Sequence, residues 1–179
     1  PTTSKVEQML IQAVVKDGEK VIFRDVKDEN SGQIYNLTVA QYIAYDLGSD
    51  NLSFSNELYA KILQEAVEQC NNEGFKAEEY FTQHADIDIS SVAVRLSVDR
   101  FQLAESLQVK ETEQTLRDRV LHLVADFRLE YLSSYLKELE ARLSQEKDSE
   151  KMKEIMGEIM RKRNLRNELA KKTGTNILV

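Results

Sequence analysis

The sequence predicts a mainly α-helical protein: a helical bundle over residues 1–132, a C-terminal helical hairpin over 133–179, and a small β-hairpin near residues 20–37. Three observations predict it. Pro1 is the only proline and there are six glycines in 179 residues, so helix breakers are scarce while Glu, Lys, Leu, Gln and Ala abound. From Glu111 to Leu143 neither glycine nor proline interrupts a three-and-four repeat of Leu116, Val120, Leu123, Phe127, Tyr131, Tyr135, Leu139 and Leu143. From Asp148 to Gly174 a second apolar stripe follows at the same spacing.

The elements follow in order. Ser4 with Glu7 fits a capping box, and Val6, Met9, Leu10 and Val14 continue at helical spacing until Gly18. KVIF at 20–23 and SGQIYNL at 31–37 read as short strands joined across the turn-rich DENSG. Thr38 caps a helix through Leu47 that Gly48 ends. Ser55 caps the next, through about Cys70, with Leu58, Ile62, Leu63, Ala66 and Val67 facing inward. Short helices follow at about 77–83 and from Ile87 to Leu96, where Asp88 is a natural cap. The helix from Glu111 reaches on the order of 50 Å at 1.5 Å per residue, with Ser133-Ser134 its weakest point. SQEKDSE makes a polar turn, and Asp148 or Ser149 caps the last helix.

Charge is uneven. Net charge is −7, yet residues 151–172 hold eight Lys/Arg against three Glu, which leaves 16 Lys/Arg against 28 Asp/Glu on residues 1–150. An acidic body repels phosphates, so direct DNA binding over the whole surface is disfavoured. No run of apolar residues is long enough to span a membrane, and the start has no basic-then-apolar signal, so a cytoplasmic chain is expected. Cys70 is the lone cysteine and reads as an idle thiol.

No catalytic grouping emerges, so the chain reads as a non-enzyme with no cofactor. His84 and His122 belong to no motif. His84, Asp86 and Asp88 at i, i+2 and i+4 are a thin basis for a divalent cation, because no further ligand is near in sequence. There is neither a glycine-rich phosphate loop nor Cys/His zinc spacing. The aromatic KAEEYF segment has Glu78 and Glu79 as neighbours, not the cations that stacking on a single strand wants.

The segments LSFSNELYAKILQEAVEQ and FKAEEYFTQHADIDISSVAVRLSVDRFQLAES resemble the C-terminal region of bacterial DNA primase (the DnaG type). The matching pattern is Phe81, His84, Asp86, Ile89, Ser90, Ala93 and Val94. LRDRVLHLVADFRLEYL is similar to the helix that leaves the bundle in that family, and RNLRNELAKKTGTNILV to its closing pattern. The resemblance covers nearly the whole chain. It implies an accessory domain without the zinc module or polymerase core, cut just before Pro1. It further implies a bundle-plus-hairpin fold that binds the N-terminal domain of the DnaB-type replicative helicase and holds primase at the replication fork.

On that reading Met156, Ile159, Met160 and Leu169 are candidate apolar anchors, Arg163 and Arg166 orient them, and Ile177 and Leu178 form a terminal plug. Methionine suits an adaptable interface and arginine is enriched at hot spots. The competing reading is that half of this apolar set packs the hairpin itself. The alternative function is binding the tail of the single-strand-binding protein, or DNA, through the basic end.

Overall fold

The computed structural model describes the backbone of residues 4–107 and 111–176 and the side chains of residues 4–98 and 111–172. In chain order the elements are α1 (Lys5–Asp17), β1 (Val21–Lys27), β2 (Ile34–Thr38), α2 (Val39–Ser49), α3 (Glu57–Gln69), α4 (Ala77–Thr82), α5 (Ile87–Leu107), α6 (Glu113–Gln145) and α7 (Ser149–Asn176). The architecture is mostly helical with one antiparallel strand pair, as the sequence predicts. It divides into two compact units, Pro1–Leu123 and Val124–Val179, so the division falls inside α6. The expected boundary at 132/133 also lies within that helix, which runs unbroken through Ser133-Ser134.

The first unit is built around α1. Leu10, Ile11, Ala13, Val14 and Val15 are all fully buried. So wide an apolar arc marks a helix enclosed on several sides, and α1 packs against α2, α3, α4 and α5. Ser4 Oγ accepts from the Glu7 backbone N–H at 3.3 Å, but the box does not close on itself. The Glu7 carboxylate, buried to 3% exposure, instead accepts from Ser55 Oγ at 2.7 Å and from the Asn56 N–H at 2.9 Å. Ser55 is therefore not the cap of α3. Asn56 is, its Oδ1 accepting from the Leu58 and Tyr59 N–H groups, because the Ser55 hydroxyl already serves Glu7. A cap and a buried carboxylate thus join the starts of α1 and α3.

The strand pair is bulged. Val21 faces Thr38, Phe23 faces Leu37 and Val26 faces Tyr35, with register shifts on either side of Phe23. Asp25 takes a left-handed φ of 55° and its N–H donates to Asn36 Oδ1 at 3.0 Å, which carries β1 past the point where KVIF ends. In the turn, Asp28 accepts from the Asn30 N–H and Ser31 Oγ, and these bonds hold its carboxyl below the usual range. Thr38 then forms a reciprocal capping box with Gln41.

α5 runs to Leu107, well past the expected Leu96, and its cap is Asp86 rather than Asp88, because Asp86 Oδ1 accepts from the Asp88 N–H at 3.0 Å. Ile89, Ala93 and Leu96 face the core. The first turns of α6 close this unit. Arg119 donates to Glu111 and to Asp17, a carboxylate only 2% exposed that also receives Lys20. Burial alone would lower the Arg119 pKa, but the Glu111 and Asp17 contacts outweigh it and the pKa is raised. Arg117 donates to the Ile22 carbonyl and lies over the Phe23 ring.

The second unit is a hairpin of α6 and α7. Leu136, Leu139, Ile155 and Ile159 form its buried centre, with Tyr135 and Leu143 packed against it. Glu146 accepts from the Lys147 and Asp148 N–H groups in the turn, and Asp148 Oδ1 caps α7 by accepting from Glu150 and Lys151. α7 does not stop at Gly174 but continues to Asn176. A glycine weakens a helix by only about 1 kcal/mol, too little to end one by itself. No helix among the described residues is long and apolar enough to cross a membrane.

Candidate docking surface

α7 sorts its residues into faces by helical geometry. Met152, Ile155, Ile159, Lys162, Arg166 and Leu169 recur at threes and fours, and every one of them is buried or half-buried. Met156 and Met160 are each rotated about 100° from the preceding isoleucine. They are 52% and 65% exposed. Two anchors expected at the surface therefore lie there, while Ile159 is committed to the hairpin's own interior. Leu169 is half-buried on the same inner row. Leu165 is 48% exposed but lies across that row from the methionines. Ile177 and Leu178 fall outside the described residues.

The cations are partly engaged. Arg163 pairs with Glu140 of α6, with both side chains about half exposed. Lys162 lies over the Tyr135 ring at 5.6 Å, and Tyr135 donates to Glu158. That bond, with lesser help from burial, raises the Tyr135 phenol above its ordinary pKa. Arg166 is half-buried, and Arg161, Lys171 and Lys172 are exposed. Chemically, the outer face of α7 offers two flexible thioether side chains beside a dense positive field. That arrangement can grip an apolar, acidic partner surface.

Sequence reasoning missed two exposed features. Tyr131 keeps the apolar repeat of α6, but it is 45% exposed and stacks on Tyr135 with rings 6.2 Å apart. On α5, Ile87, Val94 and Val98 form an exposed apolar row. Its i, i+7, i+11 spacing was the available signal.

Elsewhere, the side chains of His84 and Asp86 have structural partners. His84 joins Glu65 through Nε2 at 2.8 Å, and its Nδ1 accepts from the Asp86 N–H at 3.0 Å. Asp86 also binds Lys61. Both imidazole nitrogens and the first carboxylate of the HADID segment thus hold α3 to the start of α5, and no metal-binding cluster of His, Cys, Asp or Glu occurs among the described residues. A cleft of about 610 Å³ beside them is lined by Gln69, Asn72, Phe75, Tyr80 and His84. The Cys70 thiol touches Thr38 Oγ1 and the Gly18 carbonyl, and burial pushes its pKa up, away from the reactive thiolate.

A family model described as "Domain of unknown function (DUF8430)" matches residues 1–177. The chain belongs to the DUF8430 family. No curated protein and no solved structure matches it. The DUF8430 match spans both units.

Proposed function

We propose that this chain is the accessory domain of a DnaG-type bacterial DNA primase, and that it docks on the N-terminal domain of the DnaB-type replicative helicase through the outer face of α7. The reading is supported by the family-like segments over residues 52–69 and 75–106 and by the closing pattern of α7. One observation carries it: the hairpin buries Ile155 and Ile159 yet leaves Met156 and Met160 exposed on its most basic helix. Docking here recruits primase by tethering, which raises its effective concentration where template is unwound. The domain itself performs no chemistry, and a cytoplasmic location follows from the role.

The test is a titration of the chain against the cognate helicase N-terminal domain, with Met156→Glu/Met160→Glu as the variant. Point changes suit better than removing α7, which would strip the cover from Leu136 and Leu139. The variant is expected to weaken binding by at least about tenfold, the loss of an interface anchor. Unchanged affinity removes the outer row from the interface, and no binding by the parent chain removes the helicase. The basic end favours a second reading, in which the single-strand-binding protein's tail or DNA binds there. DNA would announce itself by affinity that falls steeply with salt, whereas an apolar dock changes little.

A further inference from the structure

α5 carries apolar residues on two opposite sides. Ile89, Ala93 and Leu96 are buried against the bundle core. Ile87, Val94 and Val98 lie on the side turned away from that core, and are 75%, 47% and 52% exposed. Ser91 is exposed between them. Apolar residues scattered singly are ordinary on a surface, and the solvated face of a helix is normally charged or polar. Three in one row, opposite a core row that is already filled, make a second contact face.

The two edges of that face differ. Asp88 and Arg95 are exposed along one edge, seven residues and two turns apart. Ser90 and Ser97 lie along the other and carry no charge. Lys61 bonds to Asp86 and also attracts Asp88. A carboxylate has two oxygens and about four acceptor sites, so Asp88 can still receive a second cation.

An antiparallel copy of α5 uses both features in a single register. A twofold axis across an antiparallel helix pair sets like edges on the same side of the contact. With that axis between Ser91 and Val92, Asp88 faces the second copy's Arg95, and Arg95 faces the second copy's Asp88. The same register seats Ile87 between the second copy's Val94 and Val98, a knob in a hole, with the small Ser91 at the centre. A parallel pair sets the charged edge of one copy against the serine edge of the other and gains no such pairing.

We propose that the outer face of α5 binds a second copy of this chain as this antiparallel twofold pair. The apolar row supplies the contact, and the Asp88 and Arg95 pairs fix its direction and register. The row is only about 16 Å long at 1.5 Å per residue, short of what a permanent dimer buries, so the association is reversible. The inference uses no residue of α7 and stands apart from the helicase reading.

The experiment is sedimentation equilibrium of the full chain over a wide concentration series at low salt. A monomer–dimer equilibrium is expected. Val94→Glu, which sets a charge in the apolar row without emptying the core, is expected to weaken it at least about tenfold. Asp88→Arg and Arg95→Asp are each expected to weaken it several-fold, because each sets like charges against one another. An equimolar mixture of those two variants is expected to associate as the parent does, since every pair across the contact is then opposite in charge. Thermal melts accompany the variants; if Asp88→Arg melts early, Val94→Glu and the salt dependence of the parent dimer decide. A parent chain that stays monomeric throughout overturns the proposal, as does full dimerisation of Val94→Glu. A mixture that associates no better than either folded variant alone also overturns it. So does a dimer that only Met156→Glu/Met160→Glu dissolves, which moves the contact to α7.

Discussion

The bundle and the hairpin solve the same problem with different amounts of chain. In the bundle, α1 is enclosed by four helices, and its Leu10, Ile11, Ala13, Val14 and Val15 have no exposure at all. In the hairpin, two helices share one seam, where Leu139 alone is fully buried and Ile155 and Ile159 retain 8% and 5% exposure. A two-helix seam leaves the other faces of each helix to water or to a partner. The difference teaches where each unit can carry recognition: the bundle in grooves between its helices and on the short exposed row of α5, the hairpin along the outer face of a helix.

The sharpest way to break that comparison is to empty each core. Ile62→Ala in the bundle and Leu139→Ala in the hairpin both remove a fully buried side chain, and each is expected to cost about 2–5 kcal/mol. The consequences differ. Ile62→Ala should lower the cooperative melt of the bundle. Leu139→Ala should chiefly remove hydrogen-exchange protection from α7, because so few buried contacts hold that helix. Loss of protection across α1 and α3 in the Leu139 variant would show that the two units unfold as one.

A smaller effect tests how the bundle is locked. Glu7 is the buried carboxylate that joins α1 to α3. Glu7→Ala leaves the Asn56 N–H and the Ser55 hydroxyl without their acceptor, at a cost of about 1–3 kcal/mol. The hairpin has no buried carboxylate among its described residues. Removal of its exposed Glu140 partner from Arg163 should change stability by less than about 1 kcal/mol. Denaturant melts of the two variants compare the two kinds of lock, and equal effects would erase the distinction.

Much of this was legible in the sequence, and the reasons for the rest are physical. Periodicity gives which helices exist because side-chain direction follows from 3.6 residues per turn. It groups Ile159 with Met156 and Met160 because a stripe drawn at threes and fours is about 100° wide or more, and α6 covers only part of it. Which half is covered depends on where α6 lies, a tertiary fact. The same limit explains Tyr131, which keeps the repeat but falls on its edge. Ser55 and Asn56 are both good caps, and only the approach of Glu7 decides between them.

The smallest effect compares how each unit starts a helix. Asp86 at α5 and Glu146 before α7 both have pKa values below the ordinary carboxylate range, but for different reasons. For Asp86 the hydrogen bond from Lys61 is the largest cause, followed by the Asp88 N–H. For Glu146 the Asp148 and Lys147 N–H groups lead. A depressed folded-state value means that each carboxylate stabilises its unit fully above the ordinary range and loses that contribution as pH falls through the depressed value. Both groups are partly exposed to solvent, so the change is small and is best read by NMR titration of the side-chain carboxyls. Lys61→Met should move Asp86 back toward its ordinary value and leave Glu146 where it is. Added salt should act the same way, because it screens an exposed ion pair more than a backbone hydrogen bond. A Glu146 titration that follows Lys61→Met would mean that the hairpin turn senses charge on the bundle, and the two helix starts could no longer be treated as independent.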